Sequence, residues 1–137
     1  MTNRYGVPLL KYLVKQPLYC ENGYTLPTLS HDLLFIARRA GLTEKRALPT
    51  ETIYFWVRGA RVPYWAQYAA LELAIRRGWT IADFDDLLCV CSIIKPQLES
   101  LSTDSIKSLL TSKGLVIPTP LEPDLFLIFD KLIRDVD

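Results

Sequence analysis

The chain has 137 residues, half of them hydrophobic and 23% charged, with a formal net charge of +1. This composition argues against disorder and predicts one domain, or a small domain with an extension. The sequence lacks both an apolar run of roughly 18 residues, which a membrane-spanning helix requires, and an N-terminal secretion signal. We therefore expect a cytoplasmic protein without membrane contact.

The near-neutral net charge hides a gradient along the chain. Residues 1–78 carry eleven Lys and Arg against five Asp and Glu, whereas residues 79–137 carry five against ten. The two parts therefore have charges of +6 and −5, which add to +1. A basic first part suits contact with phosphate, and an acidic second part would be repelled by it. The gradient indicates two roles, and chance variation of surface charge is the alternative.

The first predicted elements are two helices joined by a turn. Residues 7–15 have apolar positions at helical spacing. The dipeptide Asn22-Gly23 predicts a small hairpin or a tight loop. Residues 31–40 then predict a helix for which Ser30 is a suitable N-cap.

Two more helices are predicted in the basic part. Thr50 can cap a helix that runs to Val57 or Arg58. Pro63 suits the first turn of the next helix, which ends before Gly78. That helix has a face of small residues, which permits close packing: Ala66, Ala69, Ala70, Leu73 and Ala74.

The acidic part begins with a helix predicted over residues 81–95, where Thr80 and Asp83 resemble a capping box. A short capped helix follows over residues 102–114. Three prolines within residues 117–123 predict an extended connector.

The final segment, residues 124–137, predicts an amphipathic helix. Its apolar residues recur at i, i+3 and i+4 spacing, and such a stripe must bury against another surface. That surface is either the domain itself or a second copy or partner protein, and both remain open. The stripe consists of Leu125, Ile128, Phe129, Leu132, Ile133 and Val136.

The sequence contains no motif that predicts catalysis or a cofactor. The one histidine, His31, has no nucleophile signature near it, and no glycine loop for phosphate is present. The acidic residues at 83–86 suit helix capping better than metal ligation. Cys89 and Cys91 lie in an apolar helix and suit buried, reduced thiols. We expect a protein that is not an enzyme and has no cofactor or metal.

A series of short motifs occupies residues 31–78: FIARRAGL, TETIYFWVRGARVP and a helix that contains ALELA. This series resembles the lambda-repressor-like helix-turn-helix domains of the Cro and XRE type, which occur in phage and bacterial regulators. The resemblance implies close crossing at small residues of the first motif, anchoring of a recognition helix by an isoleucine and a tryptophan, and a G-x-R-x-P turn. The matching positions are Ala37, Gly41, Ile53, Trp56, Gly59, Arg61 and Pro63.

The segment between the first two motifs departs from that family, whose turn has about three to four residues. Here the segment from Gly41 to Thr50 spans nearly ten residues. Either residues 42–48 add a helical turn, or TEKRAL is itself the scanning helix and residues 31–40 form the helix before it.

The resemblance implies a recognition helix at about residues 50–58, with Ile53, Trp56 and Val57 facing inward. Arg58 would reach a guanine edge, and Arg61 would contact phosphate. The residues expected to bind DNA are Thr50, Glu51, Thr52, Tyr54, Phe55, Arg58, Arg61, Lys45 and Arg46. Glu51 has a second interpretation, as a negative charge that stabilises the helix N-terminus.

Tyr54 and Phe55 have three interpretations. Both rings can pack on thymine methyl groups, or both can form the centre of a protein interface. In the third interpretation, one of the two rings is buried under the N-terminal segment.

The leading hypothesis is an all-α bundle of about five helices with a helix-turn-helix core, residues 1–95, and an acidic helical extension, residues 96–137. The protein would bind double-stranded DNA as a homodimer and regulate transcription, as a repressor or activator of phage or mobile-element type. The alternative is a protein-interaction module on a repressor-like scaffold. It would bind a host or phage protein through Tyr54, Phe55 and the last helix.

Overall fold

A computed structural model describes residues 7–16, 26–98, 100 and 102–134. Within these ranges the protein is all-α and contains no strand, which confirms the predicted fold class. The helices are α1 (Val7–Val14), α2 (Leu26–Arg39), α3 (Thr50–Val57), α4 (Tyr64–Arg76), α5 (Phe84–Ile94), α6 (Thr103–Ser112) and α7 (Leu125–Arg134). Two 3₁₀ turns lie at Lys95–Gln97 and Thr119–Asp124. None of the helices in these ranges is long and apolar enough to cross a membrane.

The chain divides into two compact units, one that ends at Trp79 and one that begins at Thr80. We call them the basic unit and the acidic unit, because this boundary coincides with the change in charge along the sequence. Helix α5 falls in the acidic unit, where it packs against α7. The sequence predicted this helix as part of a first domain, residues 1–95, with the domain boundary after it.

Helix α4 is the centre of the basic unit, where α1 and α2 both pack against it. Close approach is possible because its small-residue face is buried, as predicted. The hydroxyl of Tyr12 on α1 donates to the carbonyl oxygen of Arg77, 2.8 Å away, just after α4. The buried side chain of Gln67 donates to the carbonyl oxygen of Val62 at 2.8 Å. These bonds fasten both ends of α4.

Helix α2 begins earlier than the sequence indicated. The predicted N-cap, Ser30, lies inside the helix, and its buried hydroxyl has no hydrogen-bond partner among the described residues. The residues from Leu26 onward are already helical: Leu29 extends the buried stripe by a turn, and Pro27 is compatible with a first turn, where its missing N–H is not needed. The predicted start at residue 31 is therefore wrong.

The N-cap of α5 is Asp83, not Thr80. The Asp83 carboxylate accepts a hydrogen bond from the backbone N–H of Asp86 at 2.8 Å. The Asp86 carboxylate in turn accepts from the backbone N–H of Ala82 at 3.0 Å. This reciprocal arrangement satisfies two backbone donors at the helix start. The acidic residues therefore act as caps, as the sequence analysis expected.

The proline-rich segment of the acidic unit is not extended. Residues 119–124 form a 3₁₀ turn, which begins with a hydrogen bond from the N–H of Leu121 to the carbonyl oxygen of Pro118 at 2.9 Å. An ion pair of 2.6 Å joins Lys107 on α6 to Glu122 in this turn. The segment is a compact connector because its backbone makes i to i+3 bonds.

The last helix docks on its own unit. Leu125, Ile128 and Leu132 are at most 3% exposed, and Phe129 is half-buried. Helices α5 and α6 both pack against α7, and Lys95 donates a hydrogen bond to the carbonyl oxygen of Leu132. Since the chain's own core covers these side chains, they are not a surface for a second copy or a partner, which corrects that assignment.

Some expectations fall on parts of the chain that lie outside the description. These are the turn at Asn22-Gly23, the side chain of Ile133, and Val136.

Candidate nucleic-acid interface

Helix α3 presents one face to the core and the other to solvent. Ile53 and Trp56 are at most 5% exposed, so they anchor the helix as predicted, whereas Val57 is only half-buried. On the opposite side Tyr54 is 50% and Phe55 is 55% exposed. The interpretation that one of these rings is buried is therefore wrong. Both rings are available to a partner molecule.

Glu51 and Arg58 share the solvent face with the two rings. Both are exposed, whereas Thr50 and Thr52 are half-buried. Side chains three and four positions apart on a helix are neighbours, and Arg58 therefore follows Tyr54 and Phe55 on one surface. We call Tyr54, Phe55 and Arg58 the α3 face.

The start of α3 differs in detail from the prediction. Thr50 is the first helical residue, and the N-cap position belongs to Pro49, which provides no side-chain hydrogen bond. The expectation that Thr50 caps the helix is wrong. No side-chain hydrogen bond caps this terminus, where the N–H of Thr52 donates to the carbonyl oxygen of Pro49 at 3.0 Å and where the positive end of the helix dipole lies. Such a terminus suits a phosphate group.

The end of α3 follows the sequence closely. Gly59 has φ of 106°, a conformation that favours glycine, and its N–H donates to Trp56 at 3.0 Å. The N–H of Ala60 donates to the carbonyl oxygen of Phe55 at 2.9 Å, which completes a helix-terminating motif. The exposed Arg61 lies immediately after this turn, and Pro63 is the N-cap residue of α4.

The segment between α2 and α3 contains no helix. Gly41 has φ of 74°, and the N–H of Leu42 closes the end of α2 by donating to Ala37 at 2.9 Å. The chain then runs without regular structure up to α3. Both proposed alternatives, an added helical turn and a TEKRAL scanning helix, are therefore wrong. Two of the predicted DNA-binding residues, Lys45 and Arg46, are exposed in this loop, which leads directly into α3.

A second basic surface, not predicted from the sequence, lies on the same unit. Two adjoining grooves, of about 730 and 200 Å³, share Phe35 and Arg39 as lining residues. Arg38 and Arg46 line the larger groove, and Arg76 lines the smaller one. The sequence assigned no binding role to Arg38 and Arg39, at the end of α2. The available signal was the spacing of Phe35, Arg38 and Arg39, which puts them on one helical face.

The thiols of α5 belong to the core of the acidic unit. Cys89 and Cys91 are at most 2% exposed, in agreement with their predicted role as small hydrophobic residues. Burial raises the pKa of the Cys91 thiol to about 12, and burial also raises the pKa of Cys89. Both are therefore protonated at neutral pH and poorly suited to nucleophilic chemistry.

No protein-family model, curated protein or solved structure matches this chain. The resemblance to lambda-repressor-like domains therefore remains a prediction that rests on the motifs of residues 31–78.

Proposed function

We propose that the basic unit binds duplex DNA through the α3 face and that the protein regulates transcription in the manner of phage and mobile-element regulators. The observation that carries this proposal is the division of α3 into an anchored side and a side that exposes Tyr54, Phe55 and Arg58. A helix of eight residues is about 12 Å long, similar to the width of the DNA major groove.

Each residue of the α3 face has a chemical role in this proposal. The Arg58 guanidinium is suited to a bidentate contact with the acceptor atoms of guanine, which discriminates by about 1–3 kcal/mol. The rings of Tyr54 and Phe55 are suited to the methyl group of thymine. The uncapped start of the helix at Thr50 receives a phosphate and fixes the helix in the groove.

The surrounding charge favours the same partner. Lys45 and Arg46 precede α3 and Arg61 follows it, and all three are exposed. Contacts of such side chains with phosphates supply affinity that does not depend on base sequence.

We further propose that the protein binds as a homodimer. A single short helix reads few base pairs, and two half-sites one helical turn apart multiply the affinity. The acidic unit is the better candidate for self-association because DNA repels it. Its exposed Phe126 and Leu127, on the solvent side of α7, supply apolar area for this contact.

The exposure of Tyr54 and Phe55 also favours a second candidate function, a protein-interaction module. Aromatic rings are enriched at the centres of protein interfaces. In this case the rings would anchor a host or phage protein, and the arginines would be peripheral.

In vitro selection from a random duplex pool separates the two candidates. We expect the full chain to enrich a palindromic motif and the double variant Y54A/F55A to enrich none. The matched control is F35A, which removes another exposed ring of the basic unit. If the double variant enriches a motif as strongly as the wild type, the α3 face does not read DNA. If neither the wild type nor any variant enriches a motif, the protein-interaction module is favoured.

A further inference from the structure

The second basic surface has an exposed aromatic platform at its centre. Phe35 is 53% exposed on α2 and lines both adjoining grooves. The ring of His31, one turn earlier on the helix, lies 6.5 Å from it at an angle of 24°, so the two rings are nearly parallel. Since α2 buries its opposite face in the core, this pair is not needed for packing. An exposed aromatic ring that lines an open groove offers a stacking surface.

Arginines surround this platform. Arg38, Arg39 and Arg46 line the larger groove, and Arg39 and Arg76 line the smaller one. Among the described residues none of these four arginines forms an ion pair. The grooves also contain Glu44 and Glu72, so the charged lining residues sum to +2. A surface with this balance attracts a polyanion.

The combination of ring and arginines decides which polyanion fits. A duplex keeps the faces of its bases stacked inside, where Phe35 cannot reach them, and an acidic peptide has no planar base to place on the ring. An unpaired nucleotide has both a flat base and a phosphate. Stacking of bases on aromatic side chains in a basic groove is the usual way in which proteins bind single strands.

We infer that the groove around Phe35 binds single-stranded nucleic acid, with a base stacked on Phe35 and the flanking phosphates held by Arg38 and Arg39. This site is distinct from the α3 face and does not depend on the proposed reading of duplex DNA.

The test uses the full chain and fluorescein-labelled strands of about fifteen nucleotides, which is within the range of known single-strand sites. Anisotropy at low salt is measured with oligo-dT, oligo-U and a duplex of equal length. Phe35→Ala should weaken binding of single strands about 5- to 150-fold, the range expected for loss of one stacked base. Phe35→Trp should retain binding, because the indole also stacks. A preference for dT or for U identifies DNA or RNA as the source, and either result supports the site.

Two further variants separate this site from the α3 face. R38A/R39A should weaken single-strand binding and flatten its salt dependence, because two phosphate contacts are removed. Phe55→Ala, which removes a ring of equal size and similar exposure, should leave single-strand binding unchanged. The inference is overturned if no single strand binds, or if Phe35→Ala binds single strands as tightly as the wild type. Neither result would contradict the proposed binding of duplex DNA, because the affinity for the duplex is measured separately in the same series.

Discussion

The indole of Trp56 meets the indole of Trp65 edge-on, with ring centroids 5.8 Å apart and the planes at 74°. Trp56 belongs to the buried side of α3, and Trp65 to the first turn of α4. Edge-to-face aromatic pairs contribute about 0.5–1.5 kcal/mol beyond the burial of their area. Together with the burial of Ile53, this contact holds one side of α3 against the core, and Tyr54 and Phe55 lie on the exposed side.

A double-mutant cycle with Trp56→Leu and Trp65→Leu tests this contact. We expect Trp56→Leu to lower the free energy of unfolding by about 2–4 kcal/mol, because it leaves a cavity under α3. The two substitutions together should cost about 0.5–1.5 kcal/mol less than their sum, because the pair interaction is lost only once. Urea unfolding followed by circular dichroism measures both quantities. Strict additivity would show that the two indoles do not stabilise each other.

The positive residues that flank α3 should act on all duplexes alike. K45A/R46A should lower the slope of log affinity against log salt by about 1.8, and Arg61→Ala by about 0.9, if each side chain neutralises one phosphate. The affinity loss should be the same for any duplex sequence, because phosphate contacts carry no base information. Salt titrations of duplex binding provide the measurement. An unchanged slope in both variants would place the DNA elsewhere on the basic unit.

The carboxyl group of Asp86, at the start of α5, should make the free energy of unfolding depend on pH in the acidic range. Burial is the main cause that raises the pKa of Asp86 above its ordinary value of 3.8, and the neighbouring Asp83 raises it further. A carboxyl group with a raised pKa contributes its full stability below the ordinary pKa, and this contribution is lost as pH rises through the pKa of the folded state.

Asp86→Asn should remove that loss, because the amide oxygen still accepts from the N–H of Ala82 but carries no charge. The free energy of unfolding of the variant, relative to wild type, should therefore increase from acidic to neutral pH. Urea unfolding at several pH values measures the difference. A difference that stays constant or decreases over this range would show that the Asp86 charge is not destabilising.

The thiols of α5 should react slowly with a thiol reagent in the folded protein. The third cysteine of the sequence, Cys20, is replaced by serine so that only Cys89 and Cys91 react. Their modification at neutral pH should be at least about 100-fold slower than in denaturant, because burial limits access and suppresses the thiolate. The rate of thionitrobenzoate release provides the measurement. Rapid, stoichiometric labelling without denaturant would mean that α5 is accessible.

The inward orientation of Ile53 and Trp56 was implied by the resemblance to lambda-repressor-like domains, whereas the helices themselves were predicted from the spacing of their apolar residues. The small-residue face of α4 was predicted for the same reason. Local rules were less successful at helix starts. Ser30 and Thr80 are good N-cap residues, but the packing of Leu29 and the charge of Asp83 decided where α2 and α5 begin.

The groove around Phe35 was not predictable in the same way. Arg39 and Arg76 are distant in sequence, and only the packing of α2 against α4 makes them line one groove. The loop before α3 was also misjudged, because the left-handed conformation of Gly41 ends α2 and the following residues do not start a new helix. A surface site formed by separate helices depends on how those helices pack, and the periodicity of the sequence carries no information about that packing.

Whether α3 reads DNA is tested by comparing Arg58→Ala with Lys131→Ala on the duplex obtained by selection. Both variants remove one exposed positive charge, the first from the α3 face and the second from α7 in the acidic unit. Arg58→Ala should weaken binding to the selected duplex about 5- to 150-fold, which corresponds to the loss of one bidentate base contact. It should weaken binding to an unrelated duplex much less. Lys131→Ala should bind both like the wild type. If Arg58→Ala also binds both duplexes like the wild type, α3 does not read DNA.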